Sequence, residues 1–80
     1  MRLCVFDAGN GPRLGHVRKN HIVDATLADP LLPNDKAALS LHDPELRRRL
    51  TALAESCPMP ASMVRRDAVR VLDEWDVPDA

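Results

Sequence analysis

Eighty residues carrying 11 basic and 12 acidic side chains, a net charge of −1 and 45% hydrophobic residues describe one small globular domain. The charge balance excludes the positive excess on which nucleic-acid binding depends, and one Phe, one Trp and no Tyr leave no stacking platform for bases. No apolar run approaches the roughly 20 residues of a membrane span. The opening MRLCVFD meets Asp7 too early for a secretory signal, so the expected location is cytoplasmic.

A domain of this size buries only about 60% of its unfolded surface, and such cores commonly need staples or partners. Cys4 and Cys57 are too few for a disulfide framework. Cys4, inside an apolar run, reads as a small buried hydrophobe. Support from a protein partner, either another subunit or a second copy of the chain, is therefore expected.

The expected fold class is α+β: a small antiparallel meander of three to four strands, packed with one or two helices. Residues 1–26 form the meander. In RLCVFD, Leu3 and Val5 point one way and Cys4 and Phe6 the other, so apolar residues on both sides predict a strand covered on both faces. Gly9, Asn10, Gly11 and Pro12 then make a turn, because glycine and asparagine tolerate positive φ and proline cannot donate to a ladder. RLGHV resumes the sheet, and Gly15 within it marks a bulge or a close backbone approach. HIVDAT, residues 21–26, is the third strand.

A two-residue loop at Lys19-Asn20 sets Arg18 opposite His21, Val17 opposite Ile22 and His16 opposite Val23. Lysine is a poor first residue for such a loop, which leaves a longer loop as the alternative.

Residues 27–42 read as a connector with Pro30 and Pro33, in which KAALSL is a short helix or an approach to the next element. The segment 43–57 is a helix: Asp43 as N-cap, Pro44 at the first helical position, Glu45 in the first turn, then Leu46, Leu50, Leu53 and Ala54 at helical spacing. Residues 60–80 form a second helix or a strand, followed by an acidic tail. Met63, Val64, Ala68, Val71, Leu72 and Trp75 share a helical face, which favours helix over 61–67. Asp73, Glu74 and Asp76 would crowd a helix C-terminus, and AVRVL also suits a strand, so 68–72 stays open.

The side chains that carry chemistry do not converge in sequence. His16 and His21 share one strand face with Arg18, whose charge opposes a cation there, and the reading is a partly exposed polar face. Neither cysteine has a neighbouring base. Asp7 and Asp24, at strand ends, read as turn caps. Gly9-Asn10-Gly11 joins two strands, whereas a phosphate cradle precedes a helix. On the helix, Arg47 and Arg48 point outward and Arg49 meets Glu45 four residues away, which describes a solvated face. No catalytic, cofactor-binding or metal-ligating residue is assigned. Val69, Val71, Leu72 and Trp75 are the candidate partner interface, with Trp75 either a plug of the core or an anchor for that partner.

The stretches Gly11-Pro12-Arg13-Leu14-Gly15 and Ile22-Val23-Asp24-Ala25-Thr26, within residues 1–26, resemble the small N-terminal domain of the fumarylacetoacetate hydrolase family. DAVRVLDEWDVP, residues 67–78, is similar to the strand that leads from that domain toward the catalytic one, and the resemblance implies strand for 68–72. His16 departs from it, standing where the family hairpin is often aliphatic.

The resemblance implies a fold and an association rather than an activity. The family cleaves, decarboxylates or tautomerises oxo acids with a magnesium-type ion held by carboxylates. Those residues lie in the larger C-terminal domain, and none maps onto these eighty. The expectation is a non-catalytic accessory module, without a cofactor of its own, that docks to a catalytic subunit carrying the metal. The alternative is a self-associating or regulatory protein-binding module with no hydrolase partner.

Overall fold

The alternation in RLCVFD becomes the organising line of the molecule. In a computed structural model that describes residues 1–34, 43–56 and 60–77, Arg2–Asp7 is strand β1 at the heart of a five-stranded antiparallel sheet. Strands β2 (Pro12–Arg18) and β3 (His21–Asp24) complete the meander. Helix α1 (Ala25–Ala28) follows, then α2 (Pro44–Glu55), β4 (Met63–Arg65) and β5 (Arg70–Asp76). The order across the sheet is β4-β3-β2-β1-β5. The class is α+β, with five strands where three to four were expected.

The register follows the two-residue loop. Arg18 faces His21, Val17 faces Ile22 and His16 faces Val23, with Lys19 taking the positive φ of 54° that the reversal requires. Gly9 and Gly11 have φ of 105° and 92° in the first turn, where side-chain-bearing residues are rarely found.

Gly15 answers to a different constraint. An added Cβ would lie 2.4 Å from Cγ2 of Ile22, 2.9 Å from Cδ1 of Phe6 and 3.0 Å from Sγ of Cys4. The neighbours are side chains, not the backbone expected there. The bulge falls elsewhere, between Val5 and Phe6 where β1 meets β5.

The third strand ends at Asp24, two residues before the expected Thr26, because the Asp24 carboxylate caps α1. It accepts from the amides of Thr26 at 3.1 Å and Leu27 at 3.2 Å. Helix α2 starts as expected. The Asp43 side chain accepts from the amides of Glu45 and Leu46, and Pro44 follows it.

The helix expected over 61–67 is not formed. Pro60–Ser62 and Arg66–Ala68 are single 3-10 turns on either side of β4, and the open segment 68–72 enters β5 at Arg70. The apolar residues read as one helical stripe divide between the two faces of the sheet. Val64, Val69 and Val71 pack with Cys4, Phe6 and Ile22, while Met63 and Trp75 pack on the opposite side. Two of the acidic residues that a helix end would repel find arginines instead. Glu74 pairs with both Arg2 and Arg66, and Asp76 meets Arg2 at 2.9 Å.

Strands β4 and β5 are the two outer strands, yet residues 66–69 alone join them. Four strand spacings amount to about 19 Å in a flat sheet, and five fully extended steps reach only about 18 Å. The link also contains a 3-10 turn, which shortens it. The sheet therefore curls, bringing Val64 of β4 and Val71 of β5 onto the same cluster of Cys4, Phe6 and Ile22.

The outer side of this curl packs on α2. Leu3, Leu14, Val23, Ala25, Leu32, Leu50, Leu53 and Val77 form that core. The first and last described residues are tied together, since the Met1 amino group donates to the Val77 carbonyl at 2.9 Å and the Val77 amide to the Met1 carbonyl at 2.7 Å.

Candidate functional site

Two charged arrangements organise the polar side chains. The first lies between β2 and β3. Arg13 donates from Nε to Oδ2 of Asp24 at 2.6 Å and from Nη2 to Oδ1 at 3.2 Å, a bidentate pair whose carboxylate is 8% exposed. The same carboxylate starts α1, so one aspartate fixes both the sheet and the helix that leaves it. Asp7 also caps a turn, accepting from the Gly9 amide at 2.7 Å.

The second arrangement lies under the C-terminal end of α2. That helix has no basic residue in its last turn and carries Glu55 there, against the sense of its dipole. Arg18 supplies the missing cation from the sheet. Its Nη2 donates to the carbonyls of Leu53, Ala54 and Ser56, each at 2.9 Å, and its Nε donates to Nδ1 of His16 at 3.2 Å.

His16 is 6% exposed, so the partly exposed polar face expected around it holds at Arg18 and His21 and fails at His16 itself. Arg18 links His16 to the helix end. Burial, then the Arg18 guanidinium, then the Met1 amino group hold its imidazole below the ordinary value.

Across the sheet, burial pushes the Cys4 thiol up to about 11, with Glu74 adding to the shift, which disfavours thiolate chemistry at neutral pH. Cys4 is a free thiol, completely buried. Hydrogen bonds from Arg2 and then Arg66 hold the Glu74 carboxyl below its usual range.

On α2, Arg49 meets Glu45 at 3.3 Å and also Asp29 at 2.9 Å, while Arg48 pairs with Glu45 and is largely exposed. Among the described residues no group of three or more His, Cys, Asp or Glu side chains converges as a metal site would require. His42 and Cys57 lie outside the described residues, as does KAALSL.

The four candidate interface residues occupy three settings. Val69 and Val71 pack inward beside Phe6, Trp75 rests partly buried on the helix-side core, and Leu72 is 46% exposed. Leu27 and Leu31, exposed by 61% and 70%, are the other large apolar residues at the described surface.

Sequence reasoning missed Arg18 as the clamp of α2. The signal was a helix whose arginines stand in its middle and whose last turn is acidic, which requires a cation from elsewhere. The Arg13–Asp24 pair carried no such signal, because its members are 11 residues apart and meet only through the β2–β3 register.

No protein-family model, curated protein or solved structure gives a significant match to this chain. Among the described residues no helix is long and apolar enough to cross a membrane.

Proposed function

We propose that this chain is a non-catalytic docking module. It associates with a catalytic subunit of the fumarylacetoacetate hydrolase type, a metal-dependent hydrolase or decarboxylase of oxo acids, and supports the entrance to that subunit's site. Any magnesium-type ion belongs to the subunit.

One observation carries the reading. Arg13 of Gly-Pro-Arg-Leu-Gly and Asp24 of Ile-Val-Asp-Ala-Thr, the charged members of the two stretches that bear the resemblance, form a single bidentate pair. The pattern thus encodes a scaffold, with its polar residues occupied in holding backbone. The third stretch, around residues 67–78, supports it further, because β5 lies directly beside β1 in the same sheet. A small core with Leu27, Leu31 and Leu72 exposed also gains from a covering partner.

Size-exclusion chromatography with light scattering tests the association. Mixed with a catalytic subunit of this type, the chain is expected to elute in a stable complex, and a chain that elutes alone from every such mixture contradicts the reading. A melting temperature that rises with the concentration of the isolated chain supports self-association instead.

A further inference from the structure

Arg18 joins β2 to the end of α2 through its three carbonyl acceptors, and a fourth acceptor, Nδ1 of His16, holds its Nε. That fourth bond exists only while His16 is neutral, with its proton on Nε2. Protonation converts Nδ1 into a donor that faces another donor. It also sets an imidazolium against a guanidinium, in a site where His16 is 6% exposed and water offers little screening.

We propose that the His16–Arg18 pair is an acid-sensitive latch: protonation of His16 releases Arg18 from the α2 carbonyls and frees that end of the helix while the sheet stays folded.

The surrounding charges favour release. From the residue before β1 comes the Met1 amino group, and from β2 Arg18 itself, and both oppose an imidazolium. From β3 comes His21, which is exposed and faces Arg18 across the ladder. From β4 comes Arg65, exposed and paired with Asp67. The carboxylates on this side are engaged or solvated: Asp29 at the end of α1 is paired with Arg49, while Glu55 at the end of α2 and Asp73 of β5 are exposed.

Arg18 is the mobile member, since its long side chain is partly exposed whereas His16 is buried on the laddered strand. Once it leaves, α2 ends on Glu55 with no basic residue in its last turn. The opposite face, with Cys4, Phe6 and Ile22, touches none of these groups and keeps the sheet together.

The direction with pH follows. Histidine in the unfolded or released state takes its proton below about pH 6.5, whereas the latched His16 resists it to a lower pH. The latch is at full strength above that value and weakens as pH falls toward the latched value.

Amide hydrogen exchange and imidazole titration, both by NMR on the full chain, test the latch between about pH 7.5 and about pH 5.5, the range in which histidine switches. The His16 ring is expected to titrate below the ordinary histidine value. After correction for the intrinsic rate, the amides of Leu53–Ser56 lose protection by about tenfold, the equivalent of one pKa unit. Those of Cys4, Gly15 and Ile22 keep theirs.

His16→Asn, whose Oδ1 offers Arg18 an acceptor at every pH, is expected to abolish the response. A response that survives in this variant belongs to His21 or His42 and overturns the proposal. Should the variant fail to fold, the wild-type chain still decides. The latch is refuted if Leu53–Ser56 keep their protection while His16 titrates, if helix and sheet open together, or if His16 stays neutral until global unfolding.

Discussion

The two faces of the sheet are closed by different means. On the inner side of the curl, Cys4, Phe6 and Ile22 are sealed by the sheet's own outer strands and the short link that joins them. On the outer side the seal is a separate helix, which reaches the sheet through Leu50 and Leu53 and is held at its end by Arg18. The first arrangement arises from strand alternation and short connections. The second depends on one helix held by side chains, Leu50, Leu53 and the Arg18 clamp, rather than by a backbone ladder. Such a difference makes the helix side the separable part of the molecule, because local opening follows the elements with the fewest binding contacts.

Truncation on each face breaks the comparison most severely. Phe6→Ala is expected to cost about 3–5 kcal/mol and Leu50→Ala about 2–5 kcal/mol, out of a total near 4–12 kcal/mol for a domain of this length. Urea denaturation followed by far-UV and near-UV circular dichroism separates them. Phe6→Ala should lower one cooperative transition, and Leu50→Ala should loosen α2 before the sheet. Equal loss of both signals in both variants would erase the distinction between the faces.

Gly15→Ala sharpens it. The new Cβ has Ile22, Phe6 and Cys4 within 3.0 Å, so overpacking should cost about 1–3 kcal/mol. In combination with Ile22→Ala, which removes the nearest atom, the total should fall below the sum of the two single losses. Additive losses would mean that the inner face has room to spare.

Asp43→Ala acts on the other face alone. Loss of the N-cap should cost about 0.5–2 kcal/mol, seen as a lower helical signal with the sheet amides still protected.

The smallest effect concerns acid stability. Glu74 has a lowered folded pKa, so its contribution is present above the ordinary carboxyl value and disappears as pH falls through the folded one. Glu74→Gln should flatten that part of the acid limb of the melting temperature, and an unchanged limb would show that Arg2 and Arg66 do not tune it.

What the sequence made legible follows the same division. Period-two alternation, the Lys19-Asn20 reversal and the Asp43-Pro44 start are local, and each appears in the structure where its residues predicted. Residues 61–67 misled because Met63, Val64 and Ala68 satisfy a helical spacing that β4 and its flanking turns satisfy equally well, and only pairing with Ile22 and Val23 decides between them. His16 reads as partly exposed because nothing beside it in sequence announces its burial beside an Arg18 clamped to α2. Gly15 was legible as a special position, but its reason lay in three side chains from two other strands.

The proposed docking module leaves bond breaking to its partner. Turnover of an oxo acid with added magnesium, measured on the purified chain alone and beside a catalytic subunit of the proposed type, examines this directly. The account predicts product only where the subunit is present. Product formed by these eighty residues on their own would contradict it.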